Sequence, residues 1–369
     1  MEQRRIKNQP VSLLGMGCMR LPKFPDTEEI DVALTEKMID YAYRHGITYY
    51  DTAYPYHNGQ SELVIGSILK KYPRESFLLA DKLPIWKCRT LEDVKHIFEE
   101  QLQKCQTEYF DFYLCHAMNI ERFKTYKELG VFPYLLELKQ QGKIRHLGFS
   151  FHDAAQNIIP IAEELDWDFA QIQFNYLDYD MQDAKKQYEE LTSRNISVVV
   201  MEPVRGGMLA NICQEAEAVF QELQPEKSNA SWALRYAADF ENIKVILSGM
   251  SSMEQLMDNI GTFTEYKPLT PREKNAIAEA KKLILGNDFI PCTGCRYCMP
   301  CSFGVDIPRV FRTYNLYGIH KDLARFKKDM KEIEESCLPK HCRKCGKCMR
   351  ECPQHIAIPE QLDKINQLI

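Results

Sequence analysis

The chain has no apolar run of about 20 residues, the length a helix needs to cross a bilayer, so a membrane span is not expected. Its first residues, MEQRRIKNQPVS, lack the apolar segment of a secretory signal, and a cytoplasmic location is expected. Charge of one sign is also scarce: 47 Lys and Arg against 52 Asp and Glu leave a net charge of -5, with no general attraction to nucleic acid or an anionic membrane. Cysteine is thin for most of the length. Only Cys18, Cys88, Cys105, Cys115 and Cys213 precede residue 290, of 14 in all. A reducing compartment argues against a disulfide framework, so the crowding of cysteine after residue 290 marks a domain boundary.

The 369 residues, 45% hydrophobic and 27% charged, are ample for one large domain and a small one. Short apolar runs end near Met16, Asp51, Lys82, His116, Ser150, Gln173, Met201 and Ser248. Between them lie amphipathic stretches such as Ala33–His45, Leu91–Cys105, Tyr126–Gln141, Ala184–Asn195 and Asn229–Asp239. Strands separated by helices in this way predict a parallel sheet, and eight repeats predict a closed (β/α)8 TIM barrel of the α/β class. An open dinucleotide-binding sheet would require G-x-G-x-x-G after an early strand, and LGMGCMR supplies only its first two glycines. A last helix is expected over Pro271–Leu285, with Thr270 as N-cap and Gly286-Asn287 as its stop. The expected domains are therefore residues 1–285, the barrel, and 286–369, a small α-helical ferredoxin-like iron–sulfur module with one or two helices over Ile307–Lys331.

The module carries two cysteine runs. The second is Cys342-x2-Cys345-x2-Cys348-x3-Cys352-Pro353, the bacterial ferredoxin spacing. Three thiolates two residues apart can wrap three corners of a cubane, and the fourth corner needs a ligand from elsewhere. The first run, Cys292-x2-Cys295-x2-Cys298-x2-Cys301, repeats the triplet with a shorter last gap. Crossing the fourth ligands predicts two 4Fe-4S clusters: Cys292, Cys295, Cys298 and Cys352 for the first; Cys301, Cys342, Cys345 and Cys348 for the second. Pairing within each run is the alternative. Two zinc sites suit the spacing less well, because zinc usually takes separated Cys-x2-Cys pairs. Cys337 lies outside both runs and reads as a plain thiol rather than a ligand.

Four polar residues fall at the ends of successive strands: Asp51 and, just beyond it, Tyr56; then Lys82; then His116. Barrel enzymes build their sites at this end, whereas a strand rarely ends in an inward Lys or His for packing alone. Singly, each has a bland reading: an ion pair for Asp51 and Lys82, a satisfied histidine, a surface tyrosine. Together they suit carbonyl reduction. The Lys82 ammonium is expected to lower the Tyr56 phenol, Asp51 to hold the ammonium, and His116 to orient the carbonyl oxygen while Tyr56 protonates it.

The run Asp51-Thr-Ala-Tyr-Pro-Tyr56, followed by Asn58-Gly-Gln-Ser-Glu62, resembles the signature of the aldo-keto reductases. Lys82 and His116 match the remaining tetrad members in order; Gly148–Ser150, Gln171–Asn175 and Met201–Gly207 match later strand ends. The likeness covers roughly residues 8–285. It implies a nicotinamide cofactor, NADP(H) or NAD(H). Ser150 and Gln171 would bind the nicotinamide amide and Met201 would lie at the ring. Arg205, Gly206 and Gly207 would follow the pyrophosphate, and Gly249, Ser251, Gln255 and Asn259 the adenosine phosphate end. Gly17, Met19 and Pro203 complete the implied set. There are departures: Phe151 stands where many members have Asn, Met201 replaces a common aromatic, and no basic residue lies between Leu247 and Asp258. The last departure weakens any expectation of NADPH over NADH. The tail resembles the ferredoxin-type extension of a prokaryotic branch of the same family.

Three functions follow. One is an oxidoreductase acting on a small-molecule carbonyl or alcohol, with clusters passing electrons to a ferredoxin- or flavodoxin-like carrier. In another, the clusters are structural or redox-sensing. In the last, an electron-transfer protein sits on a silent barrel, which the intact tetrad opposes. A hydride carries two electrons and a cubane one, so exchange between the parts needs a splitter such as a flavin, for which the sequence has no signature. Basic clusters at Lys139–Lys143 with Arg145 and at Lys340–Lys347 with Arg343 read first as solvated faces, and the second also as a dock for an acidic carrier.

Overall fold

The computed structural model describes every residue except Asp26, Glu265, Asn287 and Asp288, and the side chain of His320. The expected stop at Asn287 lies outside the described residues. Compactness divides the chain into two units: Met1–Pro203 with Ala233–Pro268, and Val204–Trp232 with Leu269–Ile369.

The first unit opens with an antiparallel hairpin of β1 (Gln3–Ile6) and β2 (Gln9–Ser12). Eight parallel strands follow: β3 (Leu14–Gly17), β4 (Tyr49–Asp51), β5 (Leu78–Leu83), β6 (Phe110–Met118), β7 (Ile144–Phe151), β8 (Phe169–Gln173), β9 (Ser197–Met201) and β10 (Ile243–Ser248). They close in sequence order, with β10 returning to β3. This is the expected barrel, and each strand ends within about two residues of its expected end. The period of two sorts the side chains. Along β5, Leu78, Ala80 and Lys82 share one face, and Leu79, Asp81 and Leu83 the other. Leu78 and Ala80 join Tyr49, Phe112, Leu114, Phe169, Val199 and Val245 in one buried cluster. Burying a Leu or Phe stabilises by about 1.5–3 kcal/mol, so this filling is a large part of what closes the barrel. Ile6 and Val11 belong to the same cluster, which makes the hairpin a plug at the N-terminal end of the strands.

One expected helix is two. The stretch read as Tyr126–Gln141 forms Ile120–Glu128 and Val131–Gln140, separated by Gly130 at φ +65°, a left-handed turn that no helix continues. Thr90 caps Leu91–Lys104 reciprocally with Asp93, which fixes the helix that backs β5.

In the second unit, helix Gln214–Leu223 packs against Pro271–Leu285, and Gln224 Nε2 donates to Glu273 Oε1 at 2.8 Å. Thr270 and Glu273 form a capping box with Pro271 at the first turn, as the sequence predicts. Beyond it, helices Ile307–His320, Leu323–Lys331 and Ile358–Asn366 surround a core that includes Val305, Phe311, Tyr314, Phe326 and Leu362. Cysteines of both runs lie against this core.

Candidate active site and cysteine centre

The four strand-end residues meet. Lys82 lies on the inward face of β5, 1% exposed, and Asp51 ends the adjoining β4, 3% exposed. Lys82 Nζ donates to Asp51 Oδ1 at 2.6 Å, to the Thr52 carbonyl at 2.6 Å and to the Tyr56 hydroxyl at 3.3 Å. All three ammonium hydrogens thus have acceptors, which a buried cation requires. His116 is two residues beyond Leu114 on the same face of β6; its ring centroid lies 6.1 Å from that of Tyr56, edge-on. Trp86, 41% exposed, tilts over His116 at 5.0 Å and is itself covered by the Arg122 guanidinium at 4.6 Å.

Burial sets the proton inventory. It holds the His116 imidazole well below its ordinary range, with Lys82 adding to the effect, so the ring is neutral at neutral pH. Burial raises the Asp51 carboxyl, and Lys82 pulls it back. The Tyr56 phenol is pushed well above 10, by burial first and then by Asp51. Here the expectation from sequence is corrected: beside Lys82 or not, the phenol is raised. Desolvation and a carboxylate together outweigh one ammonium at 3.3 Å. The hydroxyl keeps its proton, as an acid must.

A second acid centre, absent from the sequence reading, lies on the other face of β5. Asp81 and Glu62 are both wholly buried. Gln101 Nε2 donates to Glu62 Oε1 at 3.0 Å and to the Lys82 carbonyl at 3.1 Å, and the Tyr113 hydroxyl donates to Gln101 Oε1 at 2.6 Å. Lys104 Nζ is 3.3 Å from Glu62. Burial and the neighbouring Glu62 hold the Asp81 carboxyl well above its ordinary value. Alternation along LLADKL was the available signal, because it sends Asp81 toward the helices whenever Lys82 points inward.

Around the mouth, Ser150 Oγ accepts from the Ala117 N–H at 2.7 Å. Gln171 is 2% exposed, and its Oε1 has no hydrogen-bond partner among the described residues. An orphaned buried amide oxygen suits the carboxamide of a nicotinamide, which can donate to it. Met19 and Met201 are half-buried, and Pro203 is buried. Gly17 ends β3 and Gly249 follows β10, two strands that pair directly. Asn259 Nδ2 donates to Ser248 Oγ at 2.9 Å, and Gln255 Oε1 accepts from the Ser251 N–H at 2.8 Å. A basic residue from outside this last loop lies against it. The Arg20 side chain lies against Gly249, the Arg20 carbonyl accepts from Ser251 Oγ at 2.8 Å, and its guanidinium pairs with Glu202 at 3.2 Å. In the second unit, Arg205 is buried, while Gly206 and Gly207 have φ of +65° and +92°.

Of the 14 cysteines, Cys345 is the exposed one. The thiols surrounding Cys298, which burial raises, are Cys295, Cys292, Cys352 and Cys348. Those around Cys348 are Cys342, Cys301 and Cys345. Cys352 is thus felt at the first run and Cys301 at the second, and thiols of this kind are the donors a 4Fe-4S cluster takes. Among the described residues, no three His, Cys, Asp or Glu side chains close on one ion-sized point. The basic residues at Lys139–Lys143 and Arg145 are partly exposed and also ion-paired: Lys139 with Asp168, Lys143 with Glu99 at 2.7 Å, and Arg145 with Asp111 at 2.9 Å. A cavity of about 750 Å3 at the opposite end of the barrel, lined by Arg74, Phe77, Tyr109 and Lys143 among others, includes none of the tetrad. That end of a barrel serves stability rather than chemistry.

The family model for aldo/keto reductases matches residues 13–282, and a 4Fe-4S dicluster domain matches residues 291–358. The chain belongs to the aldo/keto reductase family, and is an NAD(P)-dependent oxidoreductase with a C-terminal 4Fe-4S dicluster domain. It is 26% identical over 308 residues to the L-galactose dehydrogenase of Arabidopsis thaliana, spanning 74% of this chain and 92% of that protein. To the NADH-specific methylglyoxal reductase of Escherichia coli it is 28% identical over 217 residues, 54% of this chain and 65% of that one. The holo form of aldo-keto reductase AKR11C1 from Bacillus halodurans superposes with a TM-score of 0.62 at 24% identity, covering 76% of this chain and 96% of that one. No helix among the described residues is long and apolar enough to cross a membrane.

Proposed function

We propose that this chain reduces a small carbonyl compound, or runs the reverse alcohol oxidation, at the Tyr56–Lys82–Asp51–His116 site, and that its tail carries two 4Fe-4S clusters. The observation that carries the reading is the threefold donation of Lys82 Nζ to Asp51, Thr52 and Tyr56. When bound, a reduced nicotinamide supplies the hydride. Tyr56 delivers the proton to the carbonyl oxygen, and the Lys82 ammonium stabilises the phenolate left behind. His116, neutral, donates an N–H to the same oxygen and sets its direction. Trp86 and His116 wall the position where that carbonyl would sit. A phenol raised this far carries its proton at neutral pH, the state that reduction requires of its acid.

Ser150 and Gln171 would hold the carboxamide, with Gly17, Met19, Met201 and Pro203 around the ring. Arg205, Gly206 and Gly207 would take the pyrophosphate, and Gly249, Ser251, Gln255 and Asn259 the adenosine end. The crossed cysteine sets, Cys292, Cys295, Cys298 with Cys352, and Cys342, Cys345, Cys348 with Cys301, would hold the clusters, which when present supply one-electron transfer. The second run is the port to a carrier: Cys345 is exposed among exposed Arg343, Lys344, Lys347 and Arg350, a face that attracts an acidic ferredoxin- or flavodoxin-like partner. We keep the domain boundary after Leu285, between the two family matches.

The test is oxidation of NADPH and of NADH by anaerobically purified protein with short aldehydes, together with iron and sulfide analysis. Tyr56→Phe should lower turnover by about 10^3-fold while leaving iron and sulfide content unchanged. Undiminished turnover in that variant would sink the assignment of the acid.

A further inference from the structure

Within the second unit, the segment after β9 meets the first cysteine loop backbone to backbone. Gly206 is in the left-handed region, and a Cβ built on it would lie 2.2 Å from the Thr293 carbonyl oxygen and 2.8 Å from its carbon. No rotamer change relieves such a clash, because both sides are main chain. Arg205, at φ +50°, and Gly207, at φ +92°, continue the same conformation, and the Gly207 and Leu209 N–H groups both donate to the Val204 carbonyl at 3.1 Å. Arg205 is wholly buried, with its guanidinium 6.0 Å from the ring of Phe289, three residues before Cys292. Gly206 itself remains exposed. The left-handed turn leaves exposed Gly206 without a Cβ at its apex, so a phosphate can approach the backbone closely there.

Thr293 is fixed on both sides. Asn315 accepts from the Ile290 N–H and donates to the Ile290 carbonyl, each at 2.8 Å. Beyond it, the Gly294 N–H donates to the Cys292 sulfur at 3.4 Å. Thr293, 3% exposed, therefore stands between Cys292 and Cys295 with little freedom to move independently of them.

We infer that Thr293 is a positioning residue for the nucleotide: the first cysteine loop, by its contact with Gly206, holds the Arg205–Gly207 segment in its phosphate-receiving shape. The inference rests on the reductase reading above. Because coupling between sites is reciprocal, nucleotide binding must also be felt at the cysteine loop.

The experiment uses the full, cluster-loaded chain, reduced with dithionite, with NADPH and NADH as probes. Electron paramagnetic resonance and fluorescence titration are the readouts. Nucleotide should alter the line shape of the reduced wild-type clusters. Gly206→Ala should weaken nucleotide binding about 10-fold and change that line shape even without nucleotide. Gly207→Ala shares the backbone strain but has open space for its Cβ, and should leave the line shape of the free protein as in wild type. A wild-type spectrum indifferent to saturating nucleotide overturns the inference and leaves the reductase reading standing, whatever the variants do. Absence of any nucleotide binding by the wild-type protein removes both.

Discussion

The barrel and the cysteine module hold themselves together by different means. The barrel closes on itself: eight strands pair all round, apolar side chains fill the interior, and its buried charges are matched from within, as Lys82 is by Asp51. The module has short helices around a small core, and its cysteines lean on that core. Cores of this size seldom suffice alone, and a metal staple is the common remedy. The difference teaches where each part's structure resides: in the chain for the barrel, and in the chain plus its cofactor for the tail.

The largest effect should come from taking the clusters away. Chelation after anaerobic oxidation should abolish the module's cooperative melting transition while the barrel's survives. Two transitions in calorimetry collapsing to one is the expected outcome. A module that melts unchanged without iron would show that its core stands alone and would break the comparison.

Next in size is Lys82→Met, which strands the buried Asp51 carboxylate. Breaking a buried pair costs about 3–5 kcal/mol, and here the loss belongs to the barrel alone. Urea unfolding should show the barrel transition destabilised and the module's unmoved. Double replacement with Asp51→Leu should recover part of the loss, because it removes the unpaired charge rather than the contact.

The third test concerns the acid pair behind Lys82. Asp81 is raised, by burial first and by Glu62 next, so the folded chain keeps a proton that an unfolded aspartate, near 3.9, releases. Such a group stabilises fully below the unfolded value, and that contribution is lost as pH rises through the folded one. Asp81→Asn removes the titration. As pH rises above about 4, the barrel's melting temperature should therefore fall less steeply in the variant than in wild type. Parallel curves would mean that Asp81 does not hold that proton.

How much of this was legible follows the same division. Strand ends could be read because a parallel barrel strand is an apolar run that stops at a polar residue, as at Asp51 and Ser248. The tetrad was legible for that reason too. The break at Gly130 was not, because the residues on either side carry one continuous helical pattern. The hairpin escaped notice because only Ile6 and Val11 mark it in a polar stretch. The direction of the Tyr56 shift could not be read, since it is a difference between burial and charge. The dicluster domain was legible because cysteine spacing is local chemistry, whereas the Gly206–Thr293 contact joins residues far apart in the chain.

Arg20 is the case where long-range contact supplies what local sequence lacks. The loop after β10 has no basic residue between Leu247 and Asp258, which on sequence alone argues against a site for a 2′-phosphate. The fold brings the Arg20 side chain onto Gly249 and the Arg20 carbonyl onto Ser251. The guanidinium is placed by Glu202, 15% exposed, at 3.2 Å. If Arg20 meets the phosphate, Arg20→Gln should raise the KM for NADPH about 10-fold and leave that for NADH within about twofold, because one charge-assisted contact is worth about 1.5–3 kcal/mol. Glu202→Gln should act in the opposite sense, freeing the guanidinium and lowering the KM for NADPH. Equal changes for both nucleotides in Arg20→Gln would place the residue at the pyrophosphate they share, and no change for either would make it a structural tie between β3 and β10.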